Sequence, residues 1–206
     1  MTDAADDSPG PGAGVTPLLR AIRSRRTFLD EPVRDDDLAL LLDAARWAPS
    51  TWNAQPTRFV LVRRTDTEVF DAVVASLSSS NRRWAAHAPL LIVTAADPRL
   101  EDGSPNAHAW HDLGIASTFL VVQAAALGLH VQSMAGFRPA EAARAVGVPE
   151  GIEVVTVLAV GRIDPARSAV PEDVVQRDAR PRWRRPLPEL VRERHWDRPF
   201  GAGEPL

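Results

Sequence analysis

Apolar residues along this chain recur with two different rhythms. Leu18, Leu19 and Ile22, and further on Leu38, Leu41, Leu42 and Ala45, fall at three- and four-residue steps, the mark of one buried helix face. The first set predicts a helix over residues 17–25. The second predicts a helix opened by Asp35, Asp36 and Asp37, whose carboxylates suit the free N–H groups and the positive end of the helix dipole. Pro49 ends that helix. Residues 58–62 (RFVLV) read as a strand, and 89–95 (PLLIVTA) and 152–160 (IEVVTVLAV) as strands apolar on both faces. Such strands need helices on both sides. Helix candidates at 65–75 and 139–146, and a long one from Asp112 to about Leu127 closed by Gly128, supply those layers. A short extended piece over 129–134 leads into a turn at Gly136. The expected architecture is three-layered, α/β or α+β.

The long helix is apolar nearly all round, and the stretch from Leu113 to Val131 raises the question of a membrane span. Ser117, Thr118, Gln123 and two glycines interrupt it, and the chain has no second such stretch, so a buried core helix is expected. Residues 1–14 (MTDAADDSPGPGAG) lack the basic start and apolar run of a signal peptide. They read as a disordered tail, and a cytoplasmic location is expected. After Gly161 the apolar rhythm stops. Residues 163–206 are rich in proline, arginine and charge, with Trp183 and Trp196 but no long apolar run. An extended arm wrapping another surface, most simply a partner subunit, explains that composition; a loose tail is the plainer alternative.

Composition narrows the chemistry. The 206 residues suit one domain, here 15–206, with a core of its own or one completed by a second subunit. A formal net charge of -3 gives no reason to expect a polyanion partner. The chain has no cysteine, which removes disulfides, thiolate metal sites and thiol nucleophiles together. Electrons would have to travel through a bound cofactor. Tyrosine is absent too, so no phenol can act as an acid. No nucleophile elbow, P-loop or Gly-x-Gly-x-x-Gly fingerprint occurs.

Several segments could carry chemistry. Arg25, Arg26 and Thr27 offer two guanidinium groups and a hydroxyl suited to a phosphate, although basic residues after a helix also answer its dipole. The loop from Pro49 to Pro56 carries Ser50, Thr51, Asn53 and Gln55, which suit the polar edge of a heterocycle or simply form a turn. In Ser133–Phe137, Gly136 lets backbone approach a ligand closely. The cluster RPRWRR at 180–185 resembles a single-stranded nucleic-acid contact, but acidic neighbours and net charge favour a cofactor phosphate. His108 and His111 lie three apart without a third ligand, so no metal is expected.

Taken in order, Arg25-Arg26-Thr27, APSTWNAQP, the helix HDLGIASTFLVVQAAALGL, SMAGF, the strand ending at Val160-Gly161, and RRPLPELV make the chain similar to the nitroreductase family of FMN-dependent oxidoreductases. The similarity covers residues 16–196. It implies an α+β sandwich with a central mixed sheet flanked by helices, and a homodimer whose C-terminal arms are exchanged. It also implies two FMN molecules at the dimer interface. Arg25, Arg26 and Thr27 would then bind the phosphate and ribityl end, and Arg184 or Arg185 would complete that site. Pro49, Ser50, Thr51, Asn53 and Gln55 would line the flavin from the other subunit. Ala135 and Gly136 would present backbone donors near flavin N5. Trp110 and Phe137, read from the residues alone, suit pocket walls or core packing equally. The implied reaction is ping-pong: NAD(P)H delivers hydride to N5, then an electron-poor acceptor such as a nitroaromatic or quinone receives it. No side chain is required as acid or base.

The chain departs from the family pattern at Leu29, where a second basic residue is common, at Thr57, where tryptophan is frequent, and at Ala135, where some members carry an acid. A dehalogenating or flavin-fragmenting branch is the alternative enzyme reading within the family, and a non-catalytic flavin-binding or regulatory protein is the alternative from another functional class. The short Pro/Gly-rich segment 97–109, the expected lid, argues against the first.

Overall fold

Four strands, β1 Thr57–Arg63, β2 Leu90–Ala96, β3 His130–Met134 and β4 Glu153–Gly161, form one sheet in the order β1-β2-β4-β3. The structure is a computed structural model and describes residues 15–167 and 169–201, so the expected tail over 1–14 lies outside the described residues. Contacts divide the described chain into two units, residues 15–178 and the residues from 179 onward.

Every strand pairing is antiparallel, with Leu61 opposite Ile92, Ile92 opposite Leu158, and Gln132 opposite Ala159. The implied mixed sheet is therefore not realised among these four strands. The reason is topological. β2 and β3 run in the same direction, but β4 lies between them and takes up the ladder on both sides, giving a split β-α-β arrangement. The architecture is α+β.

β2 is buried at all seven positions, as its two-sided apolar pattern requires. Leu91, Val93 and Ala95 face one helical layer, made by α3 Thr67–Ser76, α4 Ser79–Ala85 and α6 Pro139–Ala145. Leu90 and Ile92 face the other, made by α2 Asp35–Arg46 and α5 Ala109–Ala126. Each fully buried Leu, Ile or Val contributes about 1.5–3 kcal/mol, so this central strand is a main source of stability. Gly128 (φ 69°) and Gly147 (φ 66°) follow α5 and α6 in the left-handed conformation that ends helices.

Tertiary contacts changed several expectations. α1 is only Pro17–Ala21, because Ile22 is already extended. The aspartates opening α2 do not cap it: Arg34 is the N-cap and no side chain closes it. They serve the dipole and ion pairs instead, Asp35 with Arg63 and Asp37 with Arg162. α4 was not anticipated, although Ser78 gives a legible N-cap whose hydroxyl accepts the Asn81 N–H at 3.3 Å. α7, Glu172–Ala179, lies within the segment read as an extended arm. Residues 163 to 178 fold with the first unit, where Phe28 bridges Ile163 and the Asp164 N–H donates to the Thr27 carbonyl at 3.2 Å.

The unit from residue 179 holds the short α8, Leu187–Leu190, and a bridge between Arg192 and Pro199. Its cations stack on its own tryptophans, Arg185 over Trp183 at 5.6 Å and Arg192 over Trp196 at 5.7 Å.

Candidate functional site

α4 organises one half of the candidate site. Its buried Trp84 lies against Phe28 and beneath the Arg26 guanidinium, with centroid distances of 6.4 and 5.9 Å. One turn earlier, the Asn81 Nδ2 donates to the Gly136 carbonyl at 3.1 Å, and the Ser78 N–H donates to the same oxygen at 2.8 Å. One helix thus draws together two segments that lie more than a hundred residues apart in sequence, Arg25–Thr27 and Ala135–Gly136. Asn81 and Ser78 were not singled out from the sequence, because a polar SSSN run reads as surface until the turn it faces is known.

Gly136 has a steric reason to be glycine. A Cβ there would come within 3.0 Å of both Asn81 Nδ2 and Ser78 Oγ. Its carbonyl is taken up by α4, so the N–H groups of this exposed turn are what Ala135 and Gly136 can offer a ligand.

The three residues read as a phosphate site do not behave alike. Arg26 is committed: its N–H donates to Asp178 Oδ2 at 2.6 Å and its Nη1 pairs with Oδ1 at 2.5 Å, the carboxylate being 2% exposed. Thr27 is buried, and its carbonyl is occupied by Asp164. Arg25 is half-buried and donates from Nη1 to the Asp178 carbonyl at 3.0 Å. Its charge also reaches His130, whose imidazole is held below its ordinary pKa by burial first and by Arg25 second. Of the two arginines, Arg25 is the one whose guanidinium stays outside the Asp178 carboxylate pair.

The loop 49–56 forms a single 3₁₀ turn over Thr51–Asn53, with Trp52, Asn53 and Gln55 all at positive φ (50°, 56° and 47°). Left-handed backbone at three non-glycine residues within four positions is strained. Side chains expected to face a ligand hold the loop instead. Ser50 Oγ accepts the Gln55 N–H at 3.0 Å, and the Gln55 Nε2 donates to the Asn53 carbonyl at 3.1 Å. The Thr51 N–H donates to Asp112 Oδ2 at 2.9 Å, and its hydroxyl reaches Oδ1 at 3.4 Å. Asn53 and Trp52 point their side chains outward, with Trp52 80% exposed. A groove of about 210 Å³ runs under the loop between Pro49, Phe59 and Asp112. A wider depression of about 580 Å³ flanks it, bounded by Trp52, Arg58 and residues 99–102 of the expected lid.

The loop and the cleft beside Arg23 and His130 lie at opposite ends of α5. The loop is tied to Asp112 in the first turn of α5, whereas Arg23 and His130 border a small cleft with Val121 and Ala125 near the last turns. Thirteen residues of helix separate Asp112 from Ala125, about 20 Å at 1.5 Å per residue.

Trp110 is 56% exposed and donates from Nε1 to Glu153 Oε2 at 2.8 Å. Phe137 is half-buried and packs on the core beside Leu77, so neither aromatic forms an enclosed pocket wall in the single chain. Arg184 and Arg185 lie in the second unit, where Arg184 Nη1 donates to the Trp183 carbonyl and Arg185 Nη1 pairs with Glu189, each at 2.9 Å. Among the described residues no group of His, Asp and Glu is arranged to hold a metal. No described helix is long and apolar enough to cross a membrane.

A sequence model of the nitroreductase family matches residues 19–162. A Stenotrophomonas maltophilia (strain K279a) protein with the provisional name NADH dehydrogenase/NAD(P)H nitroreductase is 29% identical, over 75% of this chain and 87% of its own. A Ralstonia nicotianae protein with the same provisional name is 27% identical, over 65% of this chain and 77% of its own. A crystal structure described as an oxidoreductase containing FMN is 30% identical, covering 96% of this chain and all of that one, with a TM-score of 0.84.

Proposed function

The chain belongs to the nitroreductase family, and from that premise we propose that it is an FMN-dependent oxidoreductase. It takes reducing equivalents from NAD(P)H and passes them to an electron-poor small molecule, a nitroaromatic or a quinone, in a ping-pong cycle. The observation that supports this reading is the exposed turn at Gly136, whose carbonyl is taken up by α4 and where a Cβ would crowd the Asn81 and Ser78 side-chain ends at 3.0 Å. A flat heterocycle needs such close approach of backbone donors.

FMN, when bound, would supply the hydride-transfer chemistry between NAD(P)H and the acceptor. The protein's part is binding, orientation and charge. Arg25 supplies the cation for the phosphate, and Arg26, locked on Asp178, fixes the backbone that carries it. The N–H groups of Ala135 and Gly136 favour negative charge on the ring system facing them, with Asn81 holding the turn in place. Asn53 and the exposed backbone of 49–56 line the ring from a second copy of the chain. That second copy is supported by the separation of the loop from the Arg23–His130 cleft along α5, and by the apolar side chains this helix leaves exposed, Trp110 and Phe119.

The test is a visible spectrum of the purified protein, followed by NAD(P)H without oxygen. Flavin bands that bleach establish a flavin reductase. Bands that persist point to a flavin-binding protein without turnover, and a colourless protein that takes up no added FMN overturns the reading.

A further inference from the structure

Asp112 is out of place by the logic of its helix. The inner face of α5 is Ala109, Leu113, Ala116, Leu120 and Ala124, all buried and apolar, and Asp112 sits on the same face at 2% exposure. A carboxylate removed from water is costly unless a cation or several donors compensate it. Among the described residues no arginine reaches Asp112. Its partners are the Thr51 N–H at 2.9 Å, the Thr51 hydroxyl at 3.4 Å and the His111 Nδ1 at 3.3 Å. His111 is largely exposed, so the two bonds inward both go to one residue of the loop. An alanine at 112 would continue the apolar face; the carboxylate answers a need of the loop, not of the core.

That loop needs holding. Trp52, Asn53 and Gln55 are all left-handed, and none is glycine. Their local bonds, Gln55 N–H to Ser50 and Gln55 Nε2 to Asn53, close the loop on itself, and at its far end Arg58 Nη1 of β1 donates to the Gln55 carbonyl at 2.9 Å. The bond from Thr51, next to the first strained residue, ties the turn to α5.

We propose that Asp112 is a positioning residue that latches Thr51 and thereby holds the strained turn 51–55 in the shape that receives the flavin. The latch rests on the flavin reading for its purpose but not for its existence. It acts as an acceptor: what matters is an oxygen at this position, at the reach of an aspartate side chain. It also makes the turn a pre-formed surface, so that FMN binding does not have to order it.

The experiment is residue-level hydrogen exchange on the full-length, flavin-free protein, paired with FMN titration, in Asp112→Ala and Asp112→Asn. For D112A we expect faster exchange confined to residues 51–55, with β2 and the rest of α5 unchanged. Loss of one hydrogen bond to a charged group corresponds to FMN affinity lower by about tenfold, which D112N, keeping an oxygen acceptor, restores to within about threefold. Should D112A not fold, Asp112→Ser, polar but too short to reach Thr51, takes its place. Exchange that rises throughout α5 and the sheet, or does not change in the loop, overturns the latch. A D112N variant as impaired as D112A overturns it as well. Loop-confined exchange in a protein that takes up no FMN supports the latch and overturns the flavin reading.

Discussion

Asp178 takes both the backbone N–H and the guanidinium of Arg26, at 2.6 and 2.5 Å, across 152 residues of chain. The pair fastens α7 to the segment after α1, with side-chain exposures of only 2% and 17%. Removing one partner of a buried pair strands the other charge. Asp178→Ala is expected to lower unfolding free energy by about 3 kcal/mol, measured by urea denaturation. Asp173, on the same helix, pairs with Arg83 at 2.6 Å but in the open, so Asp173→Ala should shift the midpoint little.

Arg25→Ala should act on the ligand more than on the fold. Losing a charge-assisted phosphate contact weakens FMN binding by about 1.5–3 kcal/mol, roughly ten- to a hundredfold in Kd by flavin fluorescence titration. Its urea midpoint should move less than that of Asp178→Ala. Unchanged FMN affinity would remove Arg25 from the phosphate site.

Two glycines separate packing from binding. At Gly161 a Cβ would come within 2.8 Å of Pro89 Cγ and 3.0 Å of Phe28 Cδ1, inside the core. Gly161→Ala should therefore destabilise by about 1–3 kcal/mol, read as a lower Tm. At Gly136 the clash is with polar side-chain ends at an exposed turn. Gly136→Ala should leave Tm nearly unchanged and reduce FMN affinity, because Asn81 must release the turn. Equal effects on both measurements in both variants would contradict this division.

His130 makes stability depend on pH. Burial and the nearby Arg25 hold its pKa below the ordinary 6.5. On acidification through about 6.5 the unfolded chain takes up a proton that the folded protein refuses, so stability falls as pH drops from there to the folded pKa. Above that window the residue contributes no pH dependence. His130→Gln should flatten this acid limb in urea denaturation between neutral and mildly acidic pH; an unaltered limb would show that another group carries it.

Much of this protein is legible in its sequence, for a definite reason. Two-sided apolar runs such as 89–95 have only one good solution, a central strand covered on both faces, and β2 is that strand. Helical spacing in Leu38, Leu41 and Ala45 likewise specifies the buried face of α2. Such patterns are local, because a repeat of two or of 3.6 residues is written over a few turns of chain. The ordered series of short segments was enough to place the chain in its family.

The tertiary structure decided what each polar residue does. Arg25 and Arg26 are adjacent and chemically identical, yet the Asp178 carboxylate pairs with Arg26 while the Arg25 guanidinium meets the Asp178 carbonyl. Ser50, Thr51 and Gln55 have the chemistry to meet a ligand, and the fold spends them on holding their own loop. Asp112 reads in sequence as the start of the long helix, and its carboxylate accepts from Thr51, 61 residues away. Hydrogen bonds and ion pairs are short-ranged and directional, so their partners exist only once the chain has closed. Hydrophobic spacing survives in one dimension; the assignment of donors to acceptors does not.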